Sequence, residues 1–104
     1  MAQINDVVFS KIREFIAALP GHGIRAQAVY LFGSYAKGTQ TALSDIDVAV
    51  VSQDLSGDRF EELVRLLKIS SGIDGRIEPV PFRPEAFVDE NPLAWEIRRK
   101  GVRI

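Results

Sequence analysis

Two apolar, strand-like runs, Ala28 to Phe32 and Val48 to Val51, are joined so that only about a dozen residues link Gly33, at the end of the first, to Asp45, at the head of the second, and this spacing restricts the topology more than any other feature of the chain. A parallel pair needs a helical crossover, for which so short a link is insufficient. The two runs are therefore expected to be antiparallel neighbours, so that the end of the first and the start of the second meet at one end of a sheet.

Six fixed positions lie at that meeting point. Gly33-Ser34, Gly38 and Ser44-Asp45-Ile46-Asp47 form the string GS-x3-G-x5-SD-x-D. At average residue usage its frequency is on the order of 10⁻⁵ per chain of this length. Successive strand side chains point to opposite faces, so Asp45 and Asp47 share a face while Ile46 and Val48 turn the other way. Carboxylates that close repel each other unless water screens them or a cation lies between them. All-oxygen donors of this kind suit magnesium, which takes one or two carboxylates together with substrate phosphates. On the same face Ala49 and Val51 follow, so the acids mark the open beginning of a strand that is otherwise covered.

The first half of the string suits an anion. Gly33 permits close backbone approach to a phosphate, and Ser34 is an expected N-cap for the single helical turn Tyr35-Ala36-Lys37, which Gly38 ends. Lys37 is placed either to reach a phosphate or to be a solvated surface lysine. Ser44 either joins the nucleotide-binding set or turns the chain into the second strand. The turn is not a P-loop, because no Gly-Lys-Ser/Thr follows it and Lys37 precedes Gly38.

Elsewhere the pattern is α/β, a small mixed sheet with interleaved helices. Asn5-Asp6 offers a cap for a helix carrying Val8, Ile12, Phe15, Ile16 and Leu19, stopped at Pro20-Gly21. Gln53 to Asp58 is a polar loop. Phe60, Leu63, Val64 and Leu67 give a second amphipathic helix that stops near Ser71-Gly72. A third strand, Arg76-Ile77-Glu78-Pro79-Val80, carries two prolines with Pro81, which places it at a sheet edge or gives it a short pairing. Asn91-Pro92 starts a last helix in which Trp95 and Ile97 face inward, Gly101 stops it, and Val102-Arg103-Ile104 either closes a sheet edge or is mobile.

Composition narrows the function. With 104 residues, 46% of them hydrophobic, the chain suits one domain spanning 1–104. A formal charge of -1 gives no bulk field for a long nucleic acid. The absence of cysteine excludes disulfides, zinc knuckles and a thiol nucleophile. His22 is the only histidine, which excludes a His-based metal site and reads as a solvated turn residue. Arg98, Arg99 and Lys100 complement the dipole at a helix end. The chain opens Met1-Ala2-Gln3 with neither a basic nor an apolar leader segment, and the expected location is the cytoplasm.

The string at residues 33 to 47 resembles the signature of the DNA polymerase beta-type nucleotidyltransferase superfamily, and the small size resembles its minimal nucleotidyltransferase branch. The resemblance implies that Asp45 and Asp47 bind divalent metal, with Glu78 as the third acid, and that Gly33 and Ser34 contact nucleotide phosphates. It further implies two magnesium ions, ATP as donor, and a HEPN-type toxin as partner, so that the chain is an antitoxin transferring AMP to that RNase. The alternatives are a binding module that masks its partner and a catalytic subunit of a small-molecule nucleotidyltransferase.

Overall fold

In the computed structural model, which describes residues 6–41 and 44–104, β1 (Ala28–Phe32) and β2 (Ile46–Val51) run antiparallel, with Phe32 opposite Asp47 and Ala28 opposite Val51. The short link thus produces the expected pairing. β3 (Ile77–Phe82) joins the other side of β2 in parallel, and β4 (Val102–Arg103) pairs antiparallel with β1, giving the order β3-β2-β1-β4. Of the two outcomes open for the C-terminal residues, closure of a sheet edge is the one adopted.

Each face of the sheet has its own cover. Val29, Leu31, Ile46, Val48, Val50 and Ile77 pack beneath α1 (Asp6–Ala18) and α3 (Arg59–Ser71), where Ile12, Phe15, Leu66 and Ile69 are buried. On the opposite face, Ala49, Val51 and Phe82 lie under Ala94 and Ile97 of α4 (Pro92–Lys100), with Phe87 packed edge-on to Phe82 at 5.1 Å. This second cover is short. It reaches Ala49 but leaves Asp47, the preceding β2 residue on that face, partly open.

Local chemistry sets the element ends. Asp58 accepts the Glu61 N–H at the start of α3, and Asn91 accepts the N–H groups of Leu93 and Ala94 at the start of α4, as capping side chains do. Pro92 follows Asn91 at the first helical position, where its missing N–H costs nothing. Asn5 lies outside the described residues.

Two inward faces differ from the sequence expectation. In α3 the buried stripe is Glu62, Leu66, Ile69 and Ser70, whereas Phe60 is 76% exposed and Leu67 39%. The physical reason is Glu62. Its carboxylate accepts the Ser56 N–H at 2.8 Å and pairs with Arg65 at 3.3 Å, so a charged residue occupies the inner stripe and shifts its phase. In α4, Ile97 is buried but Trp95 is exposed, because two residues along a helix turn by roughly 200° and cannot share a face. Trp95 instead supports the Arg99 guanidinium, 5.2 Å from its ring centroid.

The β3 edge carries its prolines as expected, and their orientation is informative. Ser52 N–H donates to the Phe82 carbonyl and Ile46 N–H to the Arg76 carbonyl, so the even-numbered residues of this strand face β2. The backbone groups of Ile77, Pro79 and Pro81 point away from β2, although the residues themselves are buried. Neither proline has an N–H, and that of Ile77 donates back to the Asp74 carbonyl at 3.1 Å.

At the end of α4 the chain passes close beneath β1. A Cβ at Gly101 would overlap the Ile97 carbonyl oxygen and stand 3.1 Å from that of Leu31, both backbone atoms that cannot swing away. Gly101→Ala is expected to destabilise the fold by about 1–3 kcal/mol, as overpacking does. Thermal melts should show a Tm at least about 4 °C lower; an unchanged Tm would mean that the helix and β1 are not so tightly apposed.

Candidate active site

The open end of the β1–β2 pair brings the two halves of the sequence string together. Gly33 follows β1 directly and adopts φ 72° and ψ -147°, a region that residues with a Cβ avoid. The conformation turns the chain sharply into α2 (Ser34–Lys37), whose C-cap is Gly38 in the left-handed region. The turn is where the sequence places it, with one correction. Gly33, not Ser34, is the N-cap, and no side chain caps the helix, because the sharp bend falls one residue earlier than a serine cap requires.

Gly33 also lies against an acid. A Cβ there would overlap Oδ2 of Asp47 and come within 3.1 Å of its Cγ. The glycine therefore permits two close approaches at once, that of backbone to an incoming group and that of backbone to the carboxylate. The sequence supplies a reason for the first. The second depends on register and has no local sequence signal.

Register also brings Glu78 to Asp47. The two are partners across the parallel β2–β3 pair, so they share a face, and Asp45 precedes the strand on the same side. Burial raises the Asp47 pKa above the usual carboxylate range, and the charges of Glu78 and Asp45 push it further in the same direction. The uncharged form is favoured by the fold, so this residue's stabilising contribution is complete below its ordinary pKa and is lost as pH rises through the raised one. At neutral pH the acids crowd one another, and among the described residues none of them forms an ion pair.

The donor set fits a hard divalent cation in kind: it is all oxygen, anionic and on one face. Among the described residues no three such side chains are drawn into a closed ligand cluster.

The other residues singled out from the sequence are distributed around this centre. The Ser44 hydroxyl accepts the Thr41 N–H at 2.8 Å, closing the loop that leads into β2. Lys37 Nζ stands 3.6 Å from Glu96 Oε1, so α2 is tied to α4 by an ion pair with both side chains about half exposed. His22 is exposed in a short 3₁₀ turn, Pro20–His22, remote in sequence from the acids, and its carbonyl accepts from Arg65. At the α4 end, Arg98 pairs with Asp89 at 3.1 Å.

One supporting pair escaped the sequence reading. Before β3, the Asp74 carboxylate accepts from Arg76 Nη2 at 2.9 Å, from Nε at 3.2 Å and from the Arg76 backbone N–H at 2.9 Å. The side-chain bonds, then the backbone bond, hold Asp74 below the usual carboxylate range. Arg76 in turn accepts the Ile46 N–H on its carbonyl at 2.8 Å, which fixes the start of β3 beside the segment carrying Asp45. Stabilisation from Asp74 is present above its ordinary pKa and lost as pH falls through the depressed one. Asp74→Asn should therefore cost about 1 kcal/mol in urea unfolding at neutral pH, and progressively less as the pH falls below the ordinary carboxylate range. A difference that persists in acid would assign the effect to packing.

Comparison with known proteins identifies the family. The Nucleotidyltransferase domain family model matches residues 9–98. Protein adenylyltransferase MntA of Shewanella oneidensis is 38% identical over 88 residues, which cover 85% of this chain and 58% of that protein. The chain thus spans somewhat over half the length of this curated relative. A crystal structure of a Sulfolobus solfataricus protein of proposed nucleotidyltransferase function superposes with a TM-score of 0.56 over 99% of this chain and 89% of that one, at 19% identity, which establishes likeness of fold. A glycine-serine bend against strand-borne acids, the β3-β2-β1-β4 sheet and a family match across most of the residues lead to one assignment: this chain belongs to the nucleotidyltransferase domain family.

Proposed function

We propose that the chain is a magnesium- and ATP-dependent adenylyltransferase that modifies a hydroxyl group of a partner protein, and that the partner is a HEPN-type RNase toxin neutralised by the modification. The observation that carries the reading is the apposition of Gly33 and Asp47, which sets a phosphate-type turn directly against the acids. Similarity to a protein adenylyltransferase supports the choice of acceptor class.

In this reading Asp45, Asp47 and Glu78 would hold magnesium, which when bound neutralises triphosphate charge and makes an acceptor hydroxyl more acidic. Backbone N–H groups at the start of α2, with the Ser34 hydroxyl, receive the β- and γ-phosphates. Lys37 can leave Glu96 for the same anion, since an exposed ion pair contributes at most about 1 kcal/mol. The acceptor oxygen attacks the α-phosphorus, the bond from that phosphorus to the bridging oxygen breaks, and pyrophosphate departs. Asp47 or Glu78 takes the hydroxyl proton.

Incubation with α-labelled ATP, magnesium and the protein encoded beside this one should transfer label to that protein and abolish its RNase activity. Loss of RNase activity without label would favour masking, and label on a free hydroxylated small molecule would favour the small-molecule enzyme.

A further inference from the structure

Beside the glycine-serine turn, on the same face as the acids, a groove of about 160 Å³ runs between α2 and α4. It is smaller than the pockets of roughly 300 Å³ or more that enclose a drug-sized ligand, so it can take one ring system but not a whole nucleotide. Phe32, Ala36 and Leu93 give it apolar walls, and Gly33 belongs both to the groove and to the turn against Asp47. Whatever occupies the groove is therefore continuous with whatever lies over the turn.

The polar groups at its border are few and specific. Lys37 and Lys100 line it as cations, which suits a ligand entering with a polyphosphate. Glu96, the only acid lining the groove among the described residues, is held by Lys37 at 3.6 Å. A carboxylate can only accept hydrogen bonds. When Lys37 turns toward phosphate, Glu96 becomes an acceptor facing the groove.

We infer that the α2–α4 groove is the base subsite of the donor nucleotide, and that Glu96 selects a base bearing an exocyclic amino group, as adenine does. The inference rests on the proposed nucleotidyl transfer and deepens it. Phe32 supplies an aromatic surface for the base, Glu96 accepts from the amino group, and the Lys37–Glu96 pair keeps both side chains satisfied until the nucleotide separates them. A carbonyl in place of the amino group would face the carboxylate without a donor, and the mismatch lowers affinity.

Isothermal titration calorimetry in magnesium, with ATP, inosine triphosphate and inorganic tripolyphosphate as probes, tests the assignment. The wild-type chain should bind ATP about tenfold more tightly than inosine triphosphate, which carries a carbonyl where adenine has its amino group. Glu96→Ala should erase that preference. Leu93→Trp, which fills the groove from a partly exposed position, should weaken ATP at least about tenfold and leave tripolyphosphate unchanged. Equal affinity of the wild type for ATP and inosine triphosphate, or a preference that survives in Glu96→Ala, overturns the base subsite while tripolyphosphate binding leaves the proposed chemistry intact. Failure of both ATP and tripolyphosphate to bind overturns the two together. Thermal melts matching the wild type confirm that each variant is folded.

Discussion

Asp45→Asn combined with Asp47→Asn is expected to reduce AMP transfer by about 10³-fold or more, the scale on which preorganised electrostatic groups act in catalysis. The fold should survive the change. Asp47 is disfavoured in its charged form by burial and by its neighbours Glu78 and Asp45, so removing the charges relieves a crowding that the metal-free protein carries at neutral pH. The double variant should melt at or above the wild-type temperature in chelator. Magnesium should then raise the melting temperature of the wild type and leave that of the variant unmoved, because only a state that binds the ion is stabilised by it. Transfer that persists in the variant would remove these acids from the chemistry. An equal magnesium shift in both proteins would place the ion elsewhere.

Gly33→Ala should be nearly as damaging, for a different reason. The substitution meets two obstacles at one position, a backbone at φ 72° and ψ -147° that alanine resists and a Cβ that overlaps the Asp47 carboxylate. Either the turn rotates away from its present path or Asp47 swings out, and each displaces phosphate from acid. An activity loss on the order of 10²-fold is expected, as for a misplacement of about 1 Å, together with about 1–3 kcal/mol of stability. Single-turnover transfer assays and urea titrations measure the two separately. A Gly33→Ala chain with normal transfer would show that the close contact between turn and acid is dispensable.

Part of this site is legible in the amino-acid sequence alone. Asp45, Asp47, Gly33 and Gly38 are legible because each serves a short-range requirement: alternation along a strand, or a backbone angle at a turn. The antiparallel β1–β2 pair is legible for the same reason, since a link of that length leaves little choice. Glu62 shows where such reasoning stops. It looks like a solvent-facing residue, yet an N–H from the preceding loop and Arg65 satisfy it in the core, and the inner stripe of α3 is displaced accordingly. Trp95 fails similarly, its size suggesting burial while the helical phase and Arg99 hold it at the surface. The Lys37–Glu96 contact joins residues 59 positions apart by number, and only the packing of α4 onto the sheet creates it. Asp74 and Arg76 are close in sequence, but a pair of opposite charges in a turn is too common to single out.

The borders of the sheet limit how another chain could attach to this one. Along the outward side of β3 a visiting strand would find carbonyl groups but no available donor, because Pro79 and Pro81 have none and Ile77 has already spent its own on Asp74. The opposite border is the two-residue β4, too brief to template a lasting ladder. Both borders thus discourage sheet extension, which keeps identical copies from zipping together edge to edge.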